Sequence, residues 1–118
     1  MKNKRKTLLF LQDILSAIER IESYIGVGKE EFFNTPSLQD GTLFRLQTIG
    51  EAVNQLPDEL KQQHPEIPWR DIVDFRNLLA HVYWKIDLNT VWSILEPGGD
   101  LTALKQVVTK IINDFPSD

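Results

Sequence analysis

The stretch TLLFLQDILSAIERIESYI, from Thr7 to Ile25, decides the fold class. Leu8, Leu11, Leu15, Ile18 and Ile25 recur at three- and four-residue steps or their sum, with Ile14 and Ile21 beside them. That repeat, close to 3.6 residues, puts the apolar side chains on one stripe of an α-helix; a half-buried strand would alternate instead. Gly26 and Gly28 stop the helix.

The same period continues outward. Glu30 to Phe33 reads as a short turn or helical piece, and Asn34-Thr35-Pro36-Ser37 as a break. Leu46, Ile49, Val53 and Leu56 mark a second long helix ending at Pro57, whose ring and missing N–H cannot continue the ladder. Asp58 to Gln63 forms a short helix that His64-Pro65 interrupts. Glu66-Ile67-Pro68-Trp69 then opens a third main helix, with proline in the first turn, where its lost donor costs nothing. Ile72, Phe75, Leu79 and Val82 are its buried stripe. Asp87 is an N-cap for Leu88 to Leu95, Pro97-Gly98-Gly99 is a turn, and Asp100 caps a final helix through about Asp114. No strand-like alternation rises above this pattern. The expectation is all-α: an antiparallel, up-and-down bundle of four to five helices, forming one domain over residues 1–118.

Composition narrows the function classes. A chain of 118 residues with 42% hydrophobic side chains can bury one core. With no cysteine, a disulfide-stapled scaffold and a thiolate zinc site are excluded. No apolar run approaches the roughly 20 residues that span a bilayer. The basic start does not read as a signal peptide, because its apolar stretch breaks at Gln12-Asp13 with no small-residue cleavage site. A cytoplasmic protein with no membrane partner is expected. The net charge of −4 argues against nucleic acid when taken over the whole chain. Local accounting weakens that argument. Lys2, Lys4, Arg5 and Lys6 precede the first acid at Asp13, and between Arg76 and Ile86 only Arg76 and Lys85 are charged. The N-terminal cluster reads as a solvated surface.

Chemistry concentrates in Arg76-Asn77-Leu78-Leu79-Ala80-His81-Val82-Tyr83-Trp84. With the apolar stripe facing the core, Asn77, His81 and Trp84 fall on the far side, Ala80 beside them, and Arg76 and Tyr83 on one flank. A tryptophan opposite its helix's own core stripe calls for a covering surface. Either a partner covers it, or another helix of the bundle does, or the helix ends before Trp84. Two-fold pairing would set two copies of Arg76 and His81 along one groove.

Imidazole, with an ordinary pKa of about 6.5, takes or gives a proton near neutrality. Guanidinium presents a fixed fork of donors to phosphate oxygens. Together they suit RNA cleavage, in which the 2′-hydroxyl is an internal nucleophile. Only a base, an acid and a stabiliser of the charged phosphorane are then needed, and DNA lacks the nucleophile. No metal is required, and His64 and His81 alone could hardly build a metal site. The plainer reading of His81 is a surface or satisfied core residue, and of Tyr83 a core-edge aromatic with its hydroxyl in water. Gly50 in mid-helix costs about 1 kcal/mol relative to alanine, which points to close helix packing there. Glu51 could face Arg70 or Arg76 in the bundle, a choice that chain spacing does not make. His64, next to Pro65, reads as a helix-end residue.

The string Arg76-x4-His81-Val82-Tyr83 resembles the Arg-x4-His-x-Tyr motif of the HepT-like ribonucleases, a branch of the HEPN superfamily. Ile49-Gly50-Glu51-Ala52 is similar to the family's Gly-Glu-Ala segment, Pro65 to Ile72 to its proline–tryptophan approach to the motif helix, and Asp87 to Trp92 to its acid-to-tryptophan stretch. The resemblance covers most of the chain, with no departure at the motif positions, although Val82 stands between His81 and Tyr83 where a polar residue is common. It implies a HEPN-like antiparallel bundle, a homodimer or higher homo-oligomer, and a composite site at the dimer interface. It further implies a metal-independent endoribonuclease toxin of a type VII toxin–antitoxin pair, without cofactor, for which tRNA is one type of RNA substrate. On this chain Arg76 and His81 become the catalytic pair, Asn77 a supporting polar group and Tyr83 the modification site. The implied partner is a cognate minimal nucleotidyltransferase that silences the toxin by AMPylation, transferring AMP from ATP to Tyr83. Tyr83 lies seven residues from Arg76, within about 20° of one helix face, so the added phosphodiester would stand near the groove. Two alternatives differ in kind: a non-enzymatic subunit that docks a nucleotidyltransferase and presents nucleotide or substrate, and a helical dimer of structural role. The second has no need of these polar types together.

Overall fold

Apolar spacing at three and four residues becomes four main helices in the computed structural model, which describes residues 2–81 and 85–116, with side chains from residue 4 onward. They are α1 (Lys2–Ile25), α3 (Pro36–Gln55), α5 (Trp69–His81) and α7 (Asp100–Asp114). Three short helices join them: α2 (Lys29–Asn34), α4 (Asp58–Gln62) and α6 (Leu88–Leu95). The described residues thus form seven helices, and the expected four to five correspond to the long ones plus part of the short set.

Boundaries shift where the local signal was polar. α1 begins at Lys2, not Thr7, because residues 2–6 contain no helix breaker although they carry no apolar period. The break at 34–37 shrinks to Thr35, whose carbonyl accepts from the N–H of Leu38 at 3.0 Å. Pro36 then occupies the first turn of α3, where its missing donor is harmless. Pro68 stands just ahead of α5 rather than inside its first turn, and its carbonyl accepts from Ile72 N–H at 3.1 Å. Asp87 caps α6 as expected, its Oδ1 accepting from Asn89 N–H at 2.9 Å. At α7 the cap is Gly99, and Asp100 is the first helical residue.

Helix α3 lies between α1 and α5; α7 packs on α1, α6 on α7, and α2 against α1 and α3. Neighbours run antiparallel. A Cβ on Gly41, early in α3, would lie 3.1 Å from the ring of Tyr24 at the end of α1. Lys105 of α7 reaches Glu22 of α1 at 2.8 Å, start to end again. The fully buried Leu11, Ile14, Ile18 and Ile21 of α1, Val53 of α3 and Val108 of α7 form the centre of the core. Each contributes about 1.5–3 kcal/mol by leaving water. Phe32 of α2 is also fully buried, and its ring lies 5.4 Å from that of Trp92 on α6. Among the described residues, no helix is long and apolar enough to cross a membrane.

Candidate active site

The entry of the chain into α5 is anchored by a tryptophan. Trp69 is buried, and its indole N–H donates to the carbonyls of His64 at 2.9 Å and Lys61 at 3.1 Å. His64 therefore serves at a helix end, as read from the sequence, with its ring 3.8 Å from Glu66. Along α5, Trp69 and Leu79 are buried and Ile72 and Phe75 half-buried, so the apolar stripe faces α3. Val82, Tyr83 and Trp84 lie outside the described residues.

The far side of α5 is polar and open. Asn77, Ala80 and His81 are exposed, as is Leu78. Asn77 and His81 are four residues apart and stand one above the other on that face. Arg76 stands on the flank of that face, toward α3. Its stem packs against Gly50 of α3: a Cβ added at Gly50 would lie 2.2 Å from Arg76 Cβ and 2.8 Å from Cγ. A real Cβ cannot occupy that space, so glycine is what lets α3 and α5 approach here.

The guanidinium is bonded on three nitrogens. Arg76 Nε donates to Glu51 Oε1 at 3.0 Å, and Nη2 donates to the same oxygen. Nη1 donates to Asn77 Oδ1 at 2.8 Å. Of the two arginines that Glu51 could have faced, the fold brings it to Arg76. The line Glu51–Arg76–Asn77 thus runs from α3 across to the face that carries His81.

In the sequence this carboxylate stands outside the motif, and between Arg76 and Ile86 no acid occurs. In space an acid 25 residues away sits on Arg76 and offsets its charge. The available signal was the Gly50-Glu51 pair, one residue making room for a stem and the next offering a carboxylate.

The site is a surface in one copy of the chain. An open cleft of about 470 Å³ between α4 and the start of α5 is lined by Asp58, Lys61, Trp69 and Arg70 among others. A second, of about 230 Å³, includes His64 and Lys110. Neither includes Arg76, Asn77 or His81. Among the described residues no three His, Asp or Glu side chains gather as metal ligands would.

Comparison with known proteins gives a consistent picture. A family model described as ribonuclease HepT-like matches residues 14–111. "Probable ribonuclease HepT" of Thermococcus cleftensis is 34% identical over 109 residues, covering 92% of this chain and 97% of that protein. "Putative RNase MJ0125" of Methanocaldococcus jannaschii is 32% identical, covering 95% and 96%. "Gamma-glutamylcyclotransferase and putative RNase MJ0434" of the same organism is 31% identical over 113 residues, 95% of this chain, which spans half of that longer protein. No solved structure matches.

Proposed function

As a member of the HepT-like ribonuclease family, this chain is, we propose, a metal-independent endoribonuclease that cuts RNA through Arg76 and His81. The observation that carries the reading is the exposed polar line on α5, where Asn77 and His81 share one face and Asn77 holds the guanidinium of Arg76. Arginine and histidine stand five residues apart, about 7.5 Å along the axis and about 140° around it. Two copies paired about a two-fold axis would complete a groove with two guanidinium and two imidazole groups.

In that groove one imidazole takes the proton of the 2′-hydroxyl, and the 2′-oxygen attacks phosphorus. The bond from phosphorus to the 5′-oxygen breaks, and the other copy's imidazole returns a proton to the leaving oxygen. The products are a 2′,3′-cyclic phosphate and a 5′-hydroxyl. Arg76 offsets the charge that develops on the phosphorane, with Asn77 as its polar support. tRNA is the RNA class on which the activity is first to be sought. The chain acts as the toxin of a type VII pair, and a minimal nucleotidyltransferase silences it by placing AMP on Tyr83. An anionic phosphodiester and a purine there would obstruct the groove and compete for Arg76.

The test is cleavage of tRNA and of a single-stranded RNA oligonucleotide with and without chelator. Wild type cuts in both conditions, and His81→Ala lowers the rate about 10²–10⁴-fold, the usual range for a lost general base or acid, without changing the melting temperature. Full activity in His81→Ala, or efficient cutting at a 2′-deoxy sugar, would rule out this mechanism.

A further inference from the structure

We infer that Glu51 is the positioning residue of Arg76, and that Gly50-Glu51 forms a cradle whose function is to aim one guanidinium at the scissile phosphate. The inference rests on the ribonuclease reading and assigns a role to a residue outside the motif helix. Its basis is the division of labour between two neighbours on α3. Gly50 accepts the stem of Arg76, since any Cβ there would overlap Arg76 Cβ. Glu51 accepts from the head at Nε and Nη2, and Asn77 accepts from Nη1.

A guanidinium has five N–H bonds in a rigid plane. Glu51 takes two and Asn77 one, which leaves one on each terminal nitrogen for phosphate oxygens. A free arginine on an exposed helix face would spread its head over many rotamers, whereas this one meets substrate already oriented. Rate falls steeply when a reacting or stabilising group is misplaced by as little as about 1 Å.

A purely structural ion pair would be an odd use of this position. The Glu51 side chain is 52% exposed, and pairs so open to water add little to folding stability. Its negative charge also stands beside the place where an anionic phosphate must bind, which opposes substrate binding. Glu51 therefore weakens ground-state attraction while fixing geometry, and its removal separates the two effects.

The experiment compares full-length wild type, Glu51→Ala and Glu51→Gln on one RNA oligonucleotide, with kcat and KM resolved and melting temperatures measured alongside. It is paired with ¹⁵N–¹H spectra of the arginine Nε–H groups, which read the clamp without any activity. Glu51→Ala is expected to lose about 10- to 100-fold in kcat with KM unchanged or lower. Glu51→Gln, whose amide oxygen still accepts from Arg76, is expected to recover most of that loss. A slowly exchanging Arg76 Nε–H signal is expected in wild type and should vanish in Glu51→Ala. Wild-type kcat in Glu51→Ala overturns the positioning role and leaves the ribonuclease reading standing. An Arg76 signal that is the same with and without Glu51 overturns the clamp itself. Loss that follows the melting temperature, with Glu51→Gln no better than Glu51→Ala, overturns it as well. A wild type that cuts no RNA brings down the ribonuclease reading and with it the role, even if the clamp signal is present.

Discussion

At the scale of the residue, Gly50 sets two effects against each other. Alanine in mid-helix gains about 1 kcal/mol over glycine. Here its methyl group would lie 2.2 Å from Arg76 Cβ and 3.3 Å from the carbonyl of Ile72. A stem carbon and a helix backbone cannot yield as the tip of a flexible side chain would, so α3 and α5 must separate. Overpacking of this kind costs about 1–3 kcal/mol, enough to exceed the propensity gain. Gly50→Ala is expected to lower the melting temperature and to lower RNA cleavage, through displacement of Arg76. A melting temperature above wild type would show that the close approach is not needed. The need for a small residue at Gly50 was legible from its place in mid-helix; its partner was not, because Arg76 lies 26 residues further along the chain.

At the scale of the element, helix identity followed from periodicity and helix ends from capping chemistry. α6 shows both. Its eight residues follow an aspartate, Asp87, whose carboxylate accepts the N–H of Asn89, as the sequence indicated. Asp87→Ala should cost about 0.5–2 kcal/mol in urea unfolding, with Asp87→Asn retaining most of the stability. An unchanged midpoint in Asp87→Ala would mean that packing of Val91 and Leu95, both buried, holds α6 alone. The starts of α1 and α7 were misplaced for a related reason. Residues 2–6 offer no apolar residue from which a period could be counted. At α7 a capping residue and its successor differ only by one position, and Asp100 stabilises a first turn from within it as an acid near the helix N-terminus.

At the scale of the whole molecule, α5 turns its apolar stripe to α3 and leaves Asn77, Leu78, Ala80 and His81 to the outside. Phe44, seven residues before Glu51 and hence on nearly the same side of α3, is 61% exposed. An exposed apolar ring on that side of α3 is a surface that a second copy would cover in forming the proposed groove. Sedimentation equilibrium of the wild-type chain is expected at twice 13.6 kDa. A particle of 13.6 kDa with full RNA-cleaving activity would show that one copy suffices and would remove the composite site.

Sequence by itself determined that the chain is helical, where α3, α5 and α6 stop or start to within a few residues, and that Arg76, Asn77 and His81 belong to one helix with its apolar side elsewhere. These depend on spacing over a few residues, since a helix fixes the angle between neighbours. Tertiary structure alone decided that Glu51, not the chain around Arg76, supplies the countercharge, and that Arg76 lies against α3 with its head bonded. That outcome depended on how close two antiparallel helices come, which the absent side chain of Gly50 permits and which no local window of sequence contains.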